Sequence, residues 1–580
     1  MSSLHLLSLR QRQKLILPIA ALGLVFLCAQ AQCRRALKLS LDRYGGLSVS
    51  LAKPTGHFRV AKVGNRWLFV TPDGNPFWMF GVWNIVGDDH LFPAGTALSY
   101  SKRTIAKYGD ADLTWGPQQV RRLKSWGFNT IGPYSVSWVT PTQSDNRWPG
   151  DHTQPVKAPY VFLENFSWYC LTNSQRFGTR PVKDLIAGVK RDILSYYGGN
   201  FPDVYDPAFE TYIQGMLQHD PSFLATRNSP WVIGYMSADT DNMWGFGAGP
   251  DFVTTPPGHN SDHLGLIVLI TAPTQGSNSN LATTYADTQV YSKTALANFL
   301  QTKYKTIQAL NTAWSSNYTT FSSAGGWGVG TGLLDESGTM HHKWLGKDTV
   351  GLRGFNPNVA ADLGDFLFQV AKTYFTVCRS ALKKAAPDAL YFGVTSLGAW
   401  NAPPRRQILE GAAGLIDVLA TNIDSSSEAQ LNFIHNNLGD VPIVEWTGWR
   451  ANPDSAMFRT PRDTDFQTQG QRAAAYTNQV DNMWGAAASS NGSHPFVGLL
   501  WWEFHDNVGE NSNWGLVSLS DNAYDGVEAV NAGGRDSWGF KTGGEERDYG
   551  DFVSGVRAKN HECATRLQNE LQKAVGGDHR

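Results

Sequence analysis

Apolar residues in this chain are concentrated in short continuous runs, and longer stretches of helical spacing separate the runs. A short apolar run bounded by turn residues is typical of a strand that is buried on both faces. We predict that eight such runs form the strands of one sheet. In chain order they are Phe77–Val82, Thr130–Tyr134, Tyr160–Leu163, Trp231–Met236, Leu390–Thr395, Val418–Asn422, Pro442–Glu445 and Phe496–Trp501.

Amphipathic stretches of helical period precede several of the predicted strands. Alternation of strands and helices is the pattern of a parallel sheet with covering helices, and eight strands are the number that closes a (β/α)8 barrel. The sequence therefore predicts an α/β protein built on a TIM barrel. The clearest helical stretches are Gln118–Trp126, Pro207–Leu217, Asp362–Ala385 and Gln471–Trp484.

The first 31 residues have the pattern of a secretory signal peptide. Basic residues precede an apolar run from Leu15 to Cys28, and Ala29-Gln30-Ala31 forms a small-residue cleavage site. The run is too short for a helix that spans a membrane. We therefore expect residues 1–31 to be removed, and the mature protein to be secreted or periplasmic with no membrane attachment.

After the predicted signal peptide, residues 32–57 form an N-terminal extension and residues 58–580 form the barrel domain. A hairpin with a turn at Asp73-Gly74 feeds the first strand. The stretch at 245–387, between strands four and five, is too long for one helix and a loop, so we predict an insertion over the barrel mouth. A linker between domains is the alternative, but tryptophans favour packing. These tryptophans are Trp314, Trp327 and Trp344. We also predict a helix within the insertion, Tyr285–Thr302, and a closing helix at the end of the chain, Tyr549–Ala574.

Composition excludes several classes of partner. The formal net charge is −1 and only 17% of residues are charged, which argues against nucleic acid and anionic membranes as partners. No C-x-x-C or H-E-x-x-H pattern occurs, so the sequence predicts neither a metal nor a cofactor. The chain has 21 Trp and 20 Tyr, and the aromatic rings that do not belong to the core suit stacking contacts with sugar rings.

Acidic residues follow two of the predicted strands directly. Asp239 and Asp241 come after strand four, and Glu445 ends strand seven. A barrel enzyme carries its chemistry at the carboxyl ends of its strands, and acid-assisted cleavage of a glycosidic bond needs two carboxyl groups. This placement favours a glycoside hydrolase.

Several segments of the chain match known motifs in the same order. They are Asn65–Trp83, Arg122–Gly132, Phe201–Glu210, Trp231–Trp244, Phe299–Trp314, Pro442–Trp449 and Trp501–Val517. With these segments the chain resembles the secreted retaining glycoside hydrolases of the (β/α)8 superfamily whose carboxylates follow strands four and seven, and most of all the β-agarase type. The resemblance implies cleavage of β-glycosidic bonds in a neutral galactan-type poly- or oligosaccharide, with Glu445 as the nucleophile.

The segment after strand four departs from the pattern of these relatives, which read G-Y-F-x-D-N-E-x-x-W. Counting back from Trp244 places Asp241 on the acid/base and Thr240 on the asparagine. Counting forward from Gly234 places Thr240 on the acid/base, which leaves no acid there. We prefer the first register because it keeps the block from Asp239 to Trp244. The alternatives are an altered mechanism, a catalytically inactive carbohydrate-binding relative, and an exo-acting β-galactosidase.

Further residues at strand ends are predicted to bind the sugar. Their alternative role is that of ordinary polar loop residues, and one of the tryptophan pairs is expected to belong to the core. The set predicted to bind substrate is Asn84, Tyr134, Glu164, Asp239, Thr240, Trp244, Trp446, Trp501, Trp502, His505 and Glu510. The sequence does not predict an oligomeric state.

Overall fold

The computed structural model describes most of the predicted barrel. The described residues are 39–87, 100–109, 114–136, 139–140, 156–165, 170, 177, 180, 182, 201–238, 290–325, 330–334, 357–398, 403–449, 466–488, 492–507, 514–518, 521 and 544–576. The predicted signal peptide and several predicted site residues lie outside them. The latter are Asp239, Thr240, Asp241, Trp244 and Glu510.

A three-stranded antiparallel sheet precedes the barrel and consists of β1 (Arg59–Val63), β2 (Arg66–Val70) and β3 (Pro76–Phe77). The predicted turn at Asp73-Gly74 joins β2 to β3, and Gly74 has φ 87°. A Cβ at Gly74 would lie 2.0 Å from the carbonyl oxygen of Ala52, so only glycine fits this turn.

The main sheet has eight strands, and every neighbouring pair in it is parallel. The strands are β4 (Met79–Val82), β5 (Thr130–Ile131), β6 (Tyr160–Leu163), β7 (Val232–Met236), β8 (Leu390–Gly393), β9 (Leu419–Thr421), β10 (Ile443–Thr447) and β11 (Phe496–Trp501). Their order is β8-β7-β6-β5-β4-β11-β10-β9. The two terminal strands are joined by backbone hydrogen bonds from Asp417 to Tyr391 (2.7 Å) and from Leu397 to Ala420 (2.8 Å). The predicted (β/α)8 barrel is confirmed.

Helices alternate with the strands as predicted. In the described part of the chain they are α1 (Tyr100–Tyr108), α2 (Gly116–Ser125), α3 (Pro207–His219), α4 (Pro221–Thr226), α5 (Tyr291–Tyr304), α6 (Ile307–Trp314), α7 (Pro357–Ala385), α8 (Arg406–Ala412), α9 (Glu428–Leu438), α10 (Gln469–Gly485) and α11 (Gly544–Gly576). No helix among these is both long enough and apolar enough to cross a membrane.

The buried apolar residues form two cores, one inside the barrel and one between the strands and the helices. The inner core fills the barrel with residues such as Val444 and Leu500, and Phe58 and Phe77 from the N-terminal segment pack against it. The outer core lies between the strands and the helices and includes Ile443. Because the N-terminal segment packs at the amino ends of the strands, the carboxyl ends remain as the place for a site.

The described parts of the predicted insertion pack against the barrel helices. Asp362 of α7 accepts hydrogen bonds from the hydroxyl of Tyr304 (2.6 Å) and the indole of Trp314 (2.7 Å). Lys303 pairs with the same carboxylate at 2.5 Å. Trp314 is buried, whereas Trp327 and Trp344 lie outside the described residues, and the insertion at 245–387 stays a prediction.

Candidate active site

Glu445 lies at the carboxyl end of β10, between β9 and β11, and its side chain is fully buried. Its Oε1 accepts a hydrogen bond of 3.1 Å from the backbone N–H of Ile423. Its Oε2 is buried and has no hydrogen-bond partner within the described part of the chain.

The surroundings of Glu445 disfavour its ionised form. Burial raises the pKa of this carboxyl well above its usual range, and the negative charge of Asp424 raises it further. The N–H of Ile423 acts in the opposite direction. A ligand that donates a hydrogen bond to Oε2 would therefore lower the pKa of Glu445, because it would stabilise the carboxylate.

Aromatic side chains from several strands surround the mouth of the barrel near Glu445. The ring of Trp83 lies 5.4 Å from Trp502, 6.2 Å from Trp446 and 5.8 Å from Tyr134, measured between centroids. The indole nitrogens of Trp83 and Trp446 are buried and have no hydrogen-bond acceptor among the described residues. We call these four residues the aromatic wall. It offers flat apolar faces together with N–H donors.

A second carboxyl group, which the sequence analysis missed, stands beside the aromatic wall. Glu503 follows Trp502 and is fully buried, and its Oε2 accepts a hydrogen bond of 2.6 Å from Nδ2 of Asn84. Asn84 is predicted from sequence to bind substrate and lies two residues after the end of β4. The rule that acidic residues after barrel strands mark the site could have found Glu503, because it comes two residues after the last residue of β11.

Two residues of this mouth have a left-handed backbone that side chains rarely adopt. Asn84 has φ 58° and Tyr134 has φ 61°, and the N–H of Asn84 donates to the carbonyl of Pro133 (3.0 Å). Such conformations cost about 1–3 kcal/mol each and cluster at functional sites. Tyr134 is also 36% exposed, so its ring is accessible to a ligand.

Glu164 lies at the end of β6, where its N–H donates to the carbonyl of Met236 at 2.8 Å. Its carboxyl is buried, and burial together with the charge of Asp220 raises its pKa well above the usual range. Glu164 also raises the pKa of Tyr235, a residue of the outer core. The residues that interact electrostatically with Glu164 are thus Asp220, at the start of α4, and Tyr235, and no described contact joins Glu164 to Glu445.

Trp501 and Trp502 face opposite sides of β11. Trp501 belongs to the outer core, where its indole donates to the carbonyl of Trp514 (3.1 Å) and its ring packs on Phe552 (5.0 Å). Trp502 packs against the inner core and the aromatic wall. The structure therefore brings Trp502 to the mouth and Trp501 into the protein core.

His505 is a buried residue behind the mouth. Its ring stacks on Tyr100, with centroids 4.2 Å apart, and its Nδ1 lies 2.7 Å from the carbonyl oxygen of Asp506. The carboxyl of Asp506 accepts a hydrogen bond of 2.5 Å from Tyr549. Burial raises the pKa of Asp506 to about 7, although Tyr549 and Arg472 lower it. These residues connect the segment after β11 to α1 and α11.

The segment that carries the predicted acid/base begins at the same end of the barrel. After β7, Ser237 donates to the carbonyl of Gly393 (2.7 Å), and Ala238 accepts from the N–H of Thr395 (3.0 Å). Asp239 and Asp241 follow in the sequence and lie outside the described residues. Within the described ranges, no group of three or more His, Cys, Asp or Glu side chains could hold a metal ion.

Comparisons with known proteins identify relatives of the chain. No established family profile matches it. It is 23% identical over 539 residues to β-agarase B of Vibrio sp. strain JT0107, which covers 81% of this chain and 47% of the relative. It is 24% identical over 529 residues to β-agarase A of the same strain, and this match covers 82% of this chain and 45% of the relative. The chain spans about half the length of the curated relatives it matches.

Solved structures show the same fold. One described as an exo-β-agarase superposes with a TM-score of 0.59 at 18% identity, covering 91% of this chain and 68% of that one. The agarase AgWH50C gives a TM-score of 0.58 at 18% identity, with coverage of 97% and 71%. The comparisons therefore confirm that this (β/α)8 chain is most similar to glycoside hydrolases of the β-agarase type.

Proposed function

We propose that the protein is a glycoside hydrolase that cleaves β-glycosidic bonds of a neutral, galactan-type poly- or oligosaccharide by a retaining double displacement. Glu445 is the nucleophile and Asp241 is the acid/base. The observation that carries the proposal is a fully buried glutamate at the carboxyl end of a barrel strand, with one oxygen fixed by Ile423 and the other without a partner among the described residues. The similarity to curated β-agarases supports the class of substrate.

The geometry at Glu445 suits nucleophilic attack. Because Oε1 is held by the N–H of Ile423, Oε2 is the atom that attacks the anomeric carbon. As the C–O bond to the leaving group breaks, Asp241 gives its proton to the departing oxygen, and a glycosyl ester of Glu445 forms. Asp241 then removes a proton from water, which attacks the anomeric carbon and releases Glu445.

The aromatic wall supports binding of a sugar next to Glu445. Indole and phenol rings offer apolar faces for the C–H groups of a pyranose. The indole nitrogens of Trp83 and Trp446, which have no acceptor in the described part of the chain, offer donors to its oxygens. A buried donor without an acceptor costs about 1–3 kcal/mol, and a sugar oxygen would remove this cost.

Asp241 is assigned as the acid/base on the resemblance of the segment after β7 to the relatives. This assignment favours a hydrolase over an inactive carbohydrate-binding protein. The specific observation that favours the binding protein is the sequence itself, because the segment has no glutamate at either register of the acid/base position. Detectable binding of agarose oligosaccharides by the wild type without any hydrolysis would establish that second function. An exo-acting enzyme would release one product size from the earliest time points.

The central experiment compares Glu445→Gln with the wild type on agarose oligosaccharides. The variant keeps the size of the side chain but cannot form a glycosyl ester, so hydrolysis is lost while binding of the oligosaccharide is kept. Asp417→Asn is the matched control, because Asp417 is a partly buried carboxylate at the amino end of the barrel, paired with Arg379 at 2.9 Å. Turnover by Glu445→Gln at the rate of the wild type would refute the assignment.

A further inference from the structure

Asn84 presents an acceptor whose direction is fixed by its neighbour. Its Nδ2 donates to Oε2 of Glu503 at 2.6 Å, and the Asn84 side chain is 2% exposed. In an amide only the nitrogen can donate, so the amide of Asn84 is oriented with Nδ2 towards Glu503. Oδ1 then points away from Glu503, and it is buried without a hydrogen-bond partner in the described part of the chain.

The Asn84–Glu503 pair adjoins the aromatic wall on both strands. Asn84 follows Trp83, and Glu503 follows Trp502, whose ring is perpendicular to that of Trp83 at 72°. Backbone hydrogen bonds keep the two segments in register, since Trp83 donates to Trp501 (2.9 Å) and Phe504 donates to Trp83 (3.1 Å). Oδ1 of Asn84 and Oε2 of Glu445, neither of which has a hydrogen-bond partner among the described residues, therefore both lie at the carboxyl end of the barrel, beside β4 and β10.

We propose that Oδ1 of Asn84 accepts a hydrogen bond from a hydroxyl group of the substrate, and that Glu503 is the positioning residue that fixes this acceptor. The proposal deepens the proposed function and rests on it. Its chemical consequence is a rule of specificity. The subsite takes a sugar that carries a donating hydroxyl at this position and discriminates against the same sugar with a hydrogen or an O-methyl group there.

The first test measures affinity for agarose oligosaccharides by calorimetry in the Glu445→Gln background, where no turnover occurs. Adding Asn84→Ala is expected to weaken binding roughly ten- to a hundredfold, which is the range for a lost hydrogen bond to a buried polar group. Adding Glu503→Gln is expected to weaken binding less, because the amide of Asn84 loses its fixed direction but keeps its acceptor. Unchanged affinity in both variants would overturn the proposal.

A matched control separates a role in binding from a role in folding. Asn560 of α11 is also buried, but it accepts from the hydroxyl of Tyr476 (2.7 Å) and donates to the carbonyl of Trp126 (3.2 Å). Asn560→Ala is expected to lower the melting temperature without changing affinity. If Asn84→Ala fails to fold, Glu503→Gln, which changes few atoms, carries the test by itself.

The second test identifies the hydroxyl. A panel of deoxy and O-methyl analogues is titrated into Glu445→Gln with and without Asn84→Ala. One analogue is expected to bind more weakly only when Asn84 is present, because its hydroxyl is the partner of Oδ1. If every analogue loses the same affinity in both proteins, Oδ1 contacts an ordered water only and the proposal is wrong. If no oligosaccharide binds any protein and the wild type is inactive, the proposed function itself fails.

Discussion

A buried ion cluster around Asp521 connects the segment after β11 to the helices α1 and α2. Asp521 is fully buried and pairs with Arg122 at 3.2 Å and Lys107 at 3.1 Å. It also accepts hydrogen bonds from Tyr100 (2.6 Å) and Tyr108 (2.7 Å). Because the ring of Tyr100 stacks on that of His505, the cluster supports the polypeptide behind the mouth.

We predict that Asp521→Asn destabilises the protein strongly. The side chain of Arg122 is only 1% exposed. In the variant its buried positive charge would therefore lose the carboxylate of Asp521. Breaking one side of a buried ion pair costs about 3–5 kcal/mol. The control is Asp365→Asn, since the side chain of Asp365 is 58% exposed and that of its partner Lys303 is 38% exposed. A solvent-exposed pair of this kind is worth about 0–1 kcal/mol.

The assay is urea unfolding of the wild type and both variants over a range of pH. Burial alone would raise the pKa of Asp521, but Arg122, Lys107 and the tyrosine hydroxyls outweigh it and hold this pKa below the usual range. The stability that Asp521 provides is therefore complete above the unfolded pKa of about 3.9 and is lost as the pH falls through the lower, folded value. Equal free energies of unfolding for the wild type and Asp521→Asn at pH 7 would refute this reasoning.

The remaining predictions concern the site and the N-terminus. Burial raises the pKa of Glu445, so kcat/KM is expected to rise with pH above the ordinary glutamate value of about 4.3, and an acidic limb at or below that value would contradict it. Trp446→Phe keeps a ring but removes the indole donor, and it is expected to raise KM about three- to tenfold; an unchanged KM would exclude the donor. Asp241→Asn is expected to cripple substrates with poor leaving groups, and added azide is expected to restore turnover of activated aryl glycosides as a β-azide. We also expect N-terminal sequencing of exported protein to begin at or near Gln32, and retention of residues 1–31 would contradict cleavage.

The strands of the barrel could be predicted because each is an apolar run buried on both faces, and such runs are visible without tertiary information. Three strands, β5, β8 and β9, end earlier than predicted, and the difference is largest for β5. β5 ends at Ile131, before the predicted end at Tyr134, because Pro133 follows and Tyr134 takes a left-handed backbone. The first turn of the N-terminal sheet, after Val63, was also missed, since the prediction relied on the stronger turn pair at Asp73-Gly74.

A polar residue that follows an apolar run is what the sequence offers as a site candidate, as at Glu445 and Asn84, and the structure places both at the carboxyl ends of barrel strands while their roles stay predictions. Which of two neighbouring side chains faces the mouth depends on the register of the strand, and this register cannot be read from the sequence. Trp501 and Trp502 are equivalent as letters, yet they point into different cores. Glu164 follows a strand as Glu445 does, but no described contact joins the two. The sequence analysis did not select Glu503, because the matching segment Trp501–Val517 directed attention to its two tryptophans.

The role of Glu445 is tested most directly by trapping the glycosyl-enzyme. The wild type is incubated with 2-deoxy-2-fluoro-β-galactosyl fluoride, whose reactive leaving group permits the first displacement while the fluorine at C2 slows the second. Mass spectrometry of proteolytic peptides then locates the added sugar. Our account predicts a single label on Glu445, in the peptide that contains Val444 and Trp446, and no label in Glu445→Gln. A label on Glu503, Glu164 or another carboxylate, or hydrolysis of agarose oligosaccharides that continues in Glu445→Gln, would contradict it.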